Sequence, residues 1–83
     1  MNPADPRADP AVIDLIELAG LWLAAGDWAA FRRTLARLED QIADRFPSYT
    51  EFAARFRDLR ELAEGAQVDG QRVRKAYRRA TVG

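Results

Sequence analysis

Apolar residues recur at helical intervals through most of this chain, and the pattern is clearest between Leu15 and Leu38. Leu15, Leu18, Ala19, Trp22 and Leu23 recur at spacings of three and four, the period that stacks side chains on one face of a helix. Gly26 then supplies a residue free to take a positive φ just past a helix end, and Asp27 can accept a hydrogen bond from the open N–H groups of a following helix. Beyond it Trp28, Phe31, Leu35, Leu38, Ile42 and Phe46 form a second apolar seam, spanning about five helical turns. A linker this short predicts an antiparallel helical hairpin that buries the two seams against each other.

The flanking segments extend this hairpin into a bundle. Three prolines among residues 1–10 predict an extended or flexible arm over 1–9, and Asp9-Pro10 reads as an N-cap followed by proline at the first helical position. The first helix should therefore run from about Pro10 to Ala25. Pro47 ends the second helix at Phe46. Ser48 with Glu51 fits a capping box, so a third helix is expected from about Tyr49, with Phe52, Ala53, Phe56, Leu59 and Ala63 inward and Gly65 as its C-cap. After the Asp69-Gly70 turn a short fourth helix, about Gln71 to Ala80, carries Arg72, Arg74, Lys75, Arg78 and Arg79 opposite a stripe of Val73, Ala76, Tyr77 and Ala80. The fold class predicted is all-α: a small bundle of three long-to-medium helices plus a short basic C-terminal helix, as one domain over 10–80 with a tail at 81–83. The core should include Leu15, Leu18, Trp22, Trp28, Phe31, Leu35, Leu38, Phe52, Phe56 and Leu59.

The first helix is apolar around most of its circumference. Between Ala11 and Ala25 its only charges are Asp14 and Glu17, while Val12, Ile13, Leu15, Ile16, Leu18, Leu21, Trp22 and Leu23 spread over nearly every direction. Either it is the central helix of a compact monomer, or three short neighbours leave part of it as an interface, for which a homodimer through this helix is the simplest occupant.

Charge alters this picture locally rather than globally. Thirteen Lys and Arg balance thirteen Asp and Glu, so no net field draws the chain toward nucleic acid or an anionic membrane. Residues 1–27, however, hold Arg7 against Asp5, Asp9, Asp14, Glu17 and Asp27, whereas residues 68–83 hold five cations against Asp69. With no cysteine or histidine, disulfides, thiolate chemistry, the commonest zinc ligands and the usual near-neutral acid–base are all ruled out. The carboxylate pairs Asp40/Asp44 and Glu61/Glu64 lie on arginine-rich faces and read as solvated charge. Ser48, the only serine, is better explained by capping than by nucleophilic catalysis. No phosphate loop or dinucleotide fingerprint occurs, so no enzyme, metal or cofactor is expected. The absence of a membrane-length apolar run or a signal-peptide pattern makes a soluble cytoplasmic protein the expectation.

Leu15, Leu18, Ala19, Trp22, Gly26-Asp27-Trp28 and Leu35 resemble one tetratricopeptide-type helical hairpin over about 24 residues. Phe31 departs from that pattern, which wants a small residue there, and Tyr49, Phe52, Ala53 and Phe56 only echo the first arm 34 residues later. The resemblance implies a hairpin and not an array. Arg45-Phe46-Pro47-Ser48-Tyr49 between two amphipathic helices is similar to small all-helical immunity proteins that neutralise secreted bacterial toxins. It carries over no functional residue. The function expected is a non-enzymatic protein-interaction module, such as an adaptor, inhibitor or antidote, contacting its partner through Leu21, Trp22, Arg72, Arg74, Lys75 and Arg78. The alternative is a nucleic-acid binder using the basic last helix, against which stands the lack of a helix-turn-helix signature.

Overall fold

Asp9 caps the first helix just ahead of Pro10: its carboxylate accepts the Val12 N–H at 3.1 Å, and the helix, α1, runs Pro10–Ala25. Gly26 closes it at φ 71°, with its N–H donating to the Leu23 carbonyl at 3.2 Å and the Asp27 N–H to that of Trp22 at 3.0 Å. These bonds satisfy carbonyls that the helix itself leaves open. Asp27 then accepts the Ala30 N–H at 3.1 Å and starts α2, Trp28–Arg45. The hairpin is antiparallel. Its far end is tied by Arg45, late in α2, whose guanidinium donates twice to the Asp9 carboxylate, at 2.7 and 3.1 Å.

A computed structural model describes residues 5–82 of the chain, and among them there are helices and no strands. The expected arm over residues 1–4 and Gly83 of the expected tail lie outside the described residues. Within 5–9 the chain is a short 3-10 turn, Pro6–Ala8, rather than an extended arm. Asp5 caps it, Pro6 is fully buried, and the Arg7 guanidinium lies 5.4 Å from the centre of the Phe52 ring.

Helix α3, Thr50–Leu62, packs on α2, and α4, Gly70–Val82, packs on α3, so the molecule is a four-helix bundle. Phe31, Leu35, Leu38, Ile42 and Phe56 are fully buried at its centre, with Val12, Ala19, Leu59, Ala63 and Val73 around them. Polar ties join the layers: Arg60 to Glu39 at 2.5 Å between α3 and α2, and Arg32 to the Ala63 carbonyl at 2.7 Å.

Several expectations change. Leu18 is 36% exposed and not core, because the buried face of α1 is built from Val12, Leu15, Ala19 and Leu23. At about 100° per residue that set turns its mean direction away from Leu18 and leaves Leu21 on the opposite side. Trp22 and Trp28 are only partly buried against the core. The capping box at α3 is not made: Tyr49 is the N-cap and no side chain caps the helix. The Tyr49 N–H bonds to the Phe46 carbonyl at 2.9 Å, which places Pro47-Ser48 at the exposed tip of the turn, ahead of the position a capping serine needs. At its other end α3 stops at Leu62 with Ala63 as C-cap, two residues before Gly65. Ala63 is buried, with its carbonyl bonded to Arg32, and Gly65 (φ 96°) instead turns the following link. Helix α4 is longer than its apolar stripe suggested, extending through Thr81 and Val82, with the Asp69 carboxylate accepting the Arg72 N–H at 3.3 Å.

Candidate partner-binding surface

Around the bundle, α1–α2 and α2–α3 are extensively packed, α3–α4 is packed more sparsely, and α4 and α1 meet least of all. Val73 and Ala80 bury α4 against the core, and Tyr77 reaches across to α1. Its hydroxyl donates to the Ile16 carbonyl, while its ring lies 6.1 Å from that of Phe31. Burial raises the Tyr77 hydroxyl above its ordinary pKa, and the nearby Glu17 carboxylate adds to the rise. The hydroxyl therefore stays a donor at all physiological pH.

The approach of Tyr77 explains Gly20, a residue that costs about 1 kcal/mol relative to alanine in a helix interior. A methyl group there would lie 3.0 Å from the Tyr77 Oη. Glycine at this position lets α4 come close enough for its one long aromatic to bond the α1 backbone. Sequence reasoning missed this site. The signal was a lone glycine inside a mostly apolar helix, where its cost in helix propensity points to a packing reason.

Beside Tyr77 the α1–α4 seam opens into a groove of about 370 Å³. Leu23, Ala24 and Gly20 of α1 line one side; Arg74, Arg78 and Thr81 of α4 line the other. The adjoining outer face of α1 exposes Leu21 (66%), Ile13 (37%) and Leu18. Its charges, Asp14 and Glu17, are exposed, and among the described residues neither makes an ion pair. The α4 cations Arg72, Arg74, Lys75, Arg78 and Arg79 are likewise exposed, without an ion-pair partner among the described residues. A second groove, of about 400 Å³, lies between α3 and α4 and carries both signs of charge through Arg55, Asp58 and Arg79.

Of the residues singled out from sequence, the structure brings Arg74 and Arg78 to the groove and places Leu21 on the neighbouring outer face. Arg72 and Lys75 are exposed on α4 but do not line it, and Trp22 packs against the core instead of standing free. Ile13, Leu18, Ala24 and Thr81 join the surface, though periodicity alone could not choose among the faces of α1. Chemically, the surface offers apolar area beside fixed positive charge. Among the described residues no three His, Cys, Asp or Glu side chains gather as a metal site would require, and no helix is long and apolar enough to cross a membrane. No family model, curated protein or solved structure matches this chain.

Proposed function

We propose that this chain is a non-enzymatic protein-interaction module, an adaptor, inhibitor or antidote in kind, that takes its partner on the joined face of α1 and α4. The observation that carries the reading is Leu21: a large apolar side chain 66% exposed, beside a groove with an apolar side from α1 and the guanidinium groups of Arg74 and Arg78 on the other. Burying such a residue on association is favourable at about 25 cal/mol per Å² of apolar surface removed from water, and the flanking arginines can pair with a partner's carboxylates. The test is affinity capture from the native host with the wild-type chain, Leu21→Asp, and a variant carrying Arg74→Ala and Arg78→Ala. A protein retained by the wild type and lost with both variants supports the reading, and its binding is then measured with purified components. A partner retained equally by all three refutes this face as the site.

The five cations of α4, exposed and unpaired among the described residues, favour nucleic acid as the second reading, since each phosphate they neutralise would release a counterion. Titration with mixed-sequence DNA and RNA at low and physiological salt separates the two, using a variant with Arg74→Ala, Lys75→Ala and Arg78→Ala. We expect no binding that survives physiological salt. Sub-micromolar binding that survives it and vanishes in the triple variant would put this second reading first.

A further inference from the structure

Surfaces of complementary chemistry to the α1–α4 face are present in the chain itself. The groove presents apolar side chains next to Arg74 and Arg78, which calls for an acidic, apolar helix. The outer face of α1 is such a helix: Ile13, Leu18 and Leu21 stand exposed, with Asp14 and Glu17 interleaved among them. Groove and helix share α1, so the two surfaces lie side by side on one molecule and cannot close on each other within it. A two-fold axis near α1 lets each copy satisfy the other, because an isologous contact pairs every surface element twice.

Resting on the reading of this face as a docking surface, we propose that two copies of this chain form a symmetric dimer in which the α1 outer face of each enters the α1–α4 groove of the other. Leu21 and Ile13 supply the buried apolar contact, and Asp14 and Glu17 of each copy pair with Arg74 and Arg78 of its mate. Size argues that both helices take part. Helix α1, with 16 residues, offers a strip only about 24 Å long and about 10 Å wide. A stable interface covers roughly 800 Å² on each side, so the α4 flank has to contribute. Charge argues the same way. Two α1 faces meeting alone would bring carboxylates of like sign together, whereas including α4 places cations against them.

The experiment is sedimentation velocity with light scattering across a concentration series, on the wild type and two charge-reversed variants. One variant carries Asp14→Arg and Glu17→Arg, the other Arg74→Glu and Arg78→Glu. All four positions are exposed, and circular dichroism verifies that each variant folds. The wild type is expected to dimerise at micromolar concentration, more weakly as salt screens the pairs. Each reversed variant alone should associate at least about tenfold more weakly, since both symmetric contacts become like-charged. Their equimolar mixture should regain association, because every contact across the mixed pair is again of opposite sign. A wild type that is monomeric at high micromolar concentration overturns the dimer, as does a dimer indifferent to reversal or a mixture that stays monomeric. None of those results decides the capture experiment, whose outcome rests on a different protein being lost with Leu21→Asp.

Discussion

Replacing Gly20 by alanine sets two effects of similar size against each other, and the geometry says which wins. In a helix interior alanine is favoured over glycine by about 1 kcal/mol. The new methyl group, however, would lie 3.0 Å from the Tyr77 Oη, and the tyrosine ring is backed by Phe31 with its centre 6.1 Å away. Relieving the contact means giving up the hydroxyl's bond to the Ile16 carbonyl, at about 1 kcal/mol, or shifting the ring at an overpacking cost of about 1–3 kcal/mol. Gly20→Ala in the wild-type background should thus be neutral to destabilising by about 2 kcal/mol. With Tyr77→Phe already in place the hydroxyl is gone and the nearest ring atom, Cζ, lies 3.7 Å away, an ordinary contact. There Gly20→Ala should stabilise by about the full 1 kcal/mol of helix propensity. The double-mutant cycle therefore predicts a coupling of about 1–3 kcal/mol. Urea unfolding of the four proteins, followed by tryptophan fluorescence at sub-micromolar concentration so that self-association does not contribute, measures it. A coupling below about 0.5 kcal/mol, or a Gly20→Ala that stabilises the wild type by 1 kcal/mol, would refute the account of Tyr77 as the contact that brings α4 onto α1.

Leu35 and Leu21 test the assignment of faces by one and the same chemical change. Leu35→Ala, fully buried, should cost about 2–5 kcal/mol and unfold much of a domain whose core supplies only about 3–5 kcal/mol, whereas Leu21→Ala at low protein concentration should stay within about 0.5 kcal/mol of the parent. Equal losses in the two would show the α1 face to be misassigned. Asp9 gives the pH dependence: its hydrogen bond to Arg45 holds its carboxyl below the usual carboxylate range, so its contribution is fully present above an unfolded pKa near 4 and is lost as pH falls through the lower folded value. Asp9→Asn, which keeps a capping oxygen but no charge, should flatten that acid limb of the stability curve; an unchanged limb would assign it to other carboxylates.

How much of this could be read from the chain depended on whether the physics was local. Asp9-Pro10, Gly26-Asp27 and Phe46-Pro47 set the ends of α1 and α2 within a residue, because caps, positive φ and proline restrictions act over three or four positions and are written in the residue types themselves. The α2 seam was equally legible, since a helix with one apolar stripe has one way to face a core. Local rules failed where a distant partner intervened. Ser48 and Glu51 have the right spacing for a cap, yet the turn closed by Tyr49 and Phe46 moved Ser48 out of register. The C-terminus of α3 was fixed by the burial of Ala63 and by Arg32 reaching its carbonyl from α2.

The candidate site divides along the same line. Its ingredients were visible in the sequence: an apolar helix with few charges, Leu21 upon it, and a run of five cations near the end of the chain. Their arrangement was not. A helix apolar on nearly all sides carries no periodic signal for which side is inward, so Leu18 and Leu21 could be assigned only once α2, α3 and α4 had taken their places. That Arg74 and Arg78 flank the α1 groove while Arg72 and Lys75 do not follows from the roll of α4, which is set by Val73, Ala80 and Tyr77 docking on residues distant in sequence. The amino-acid order determined the helices and their breaks because those are decided by nearest neighbours; only the packed tertiary structure decided which surface remained exposed, because exposure is what is left after every other element has covered its share.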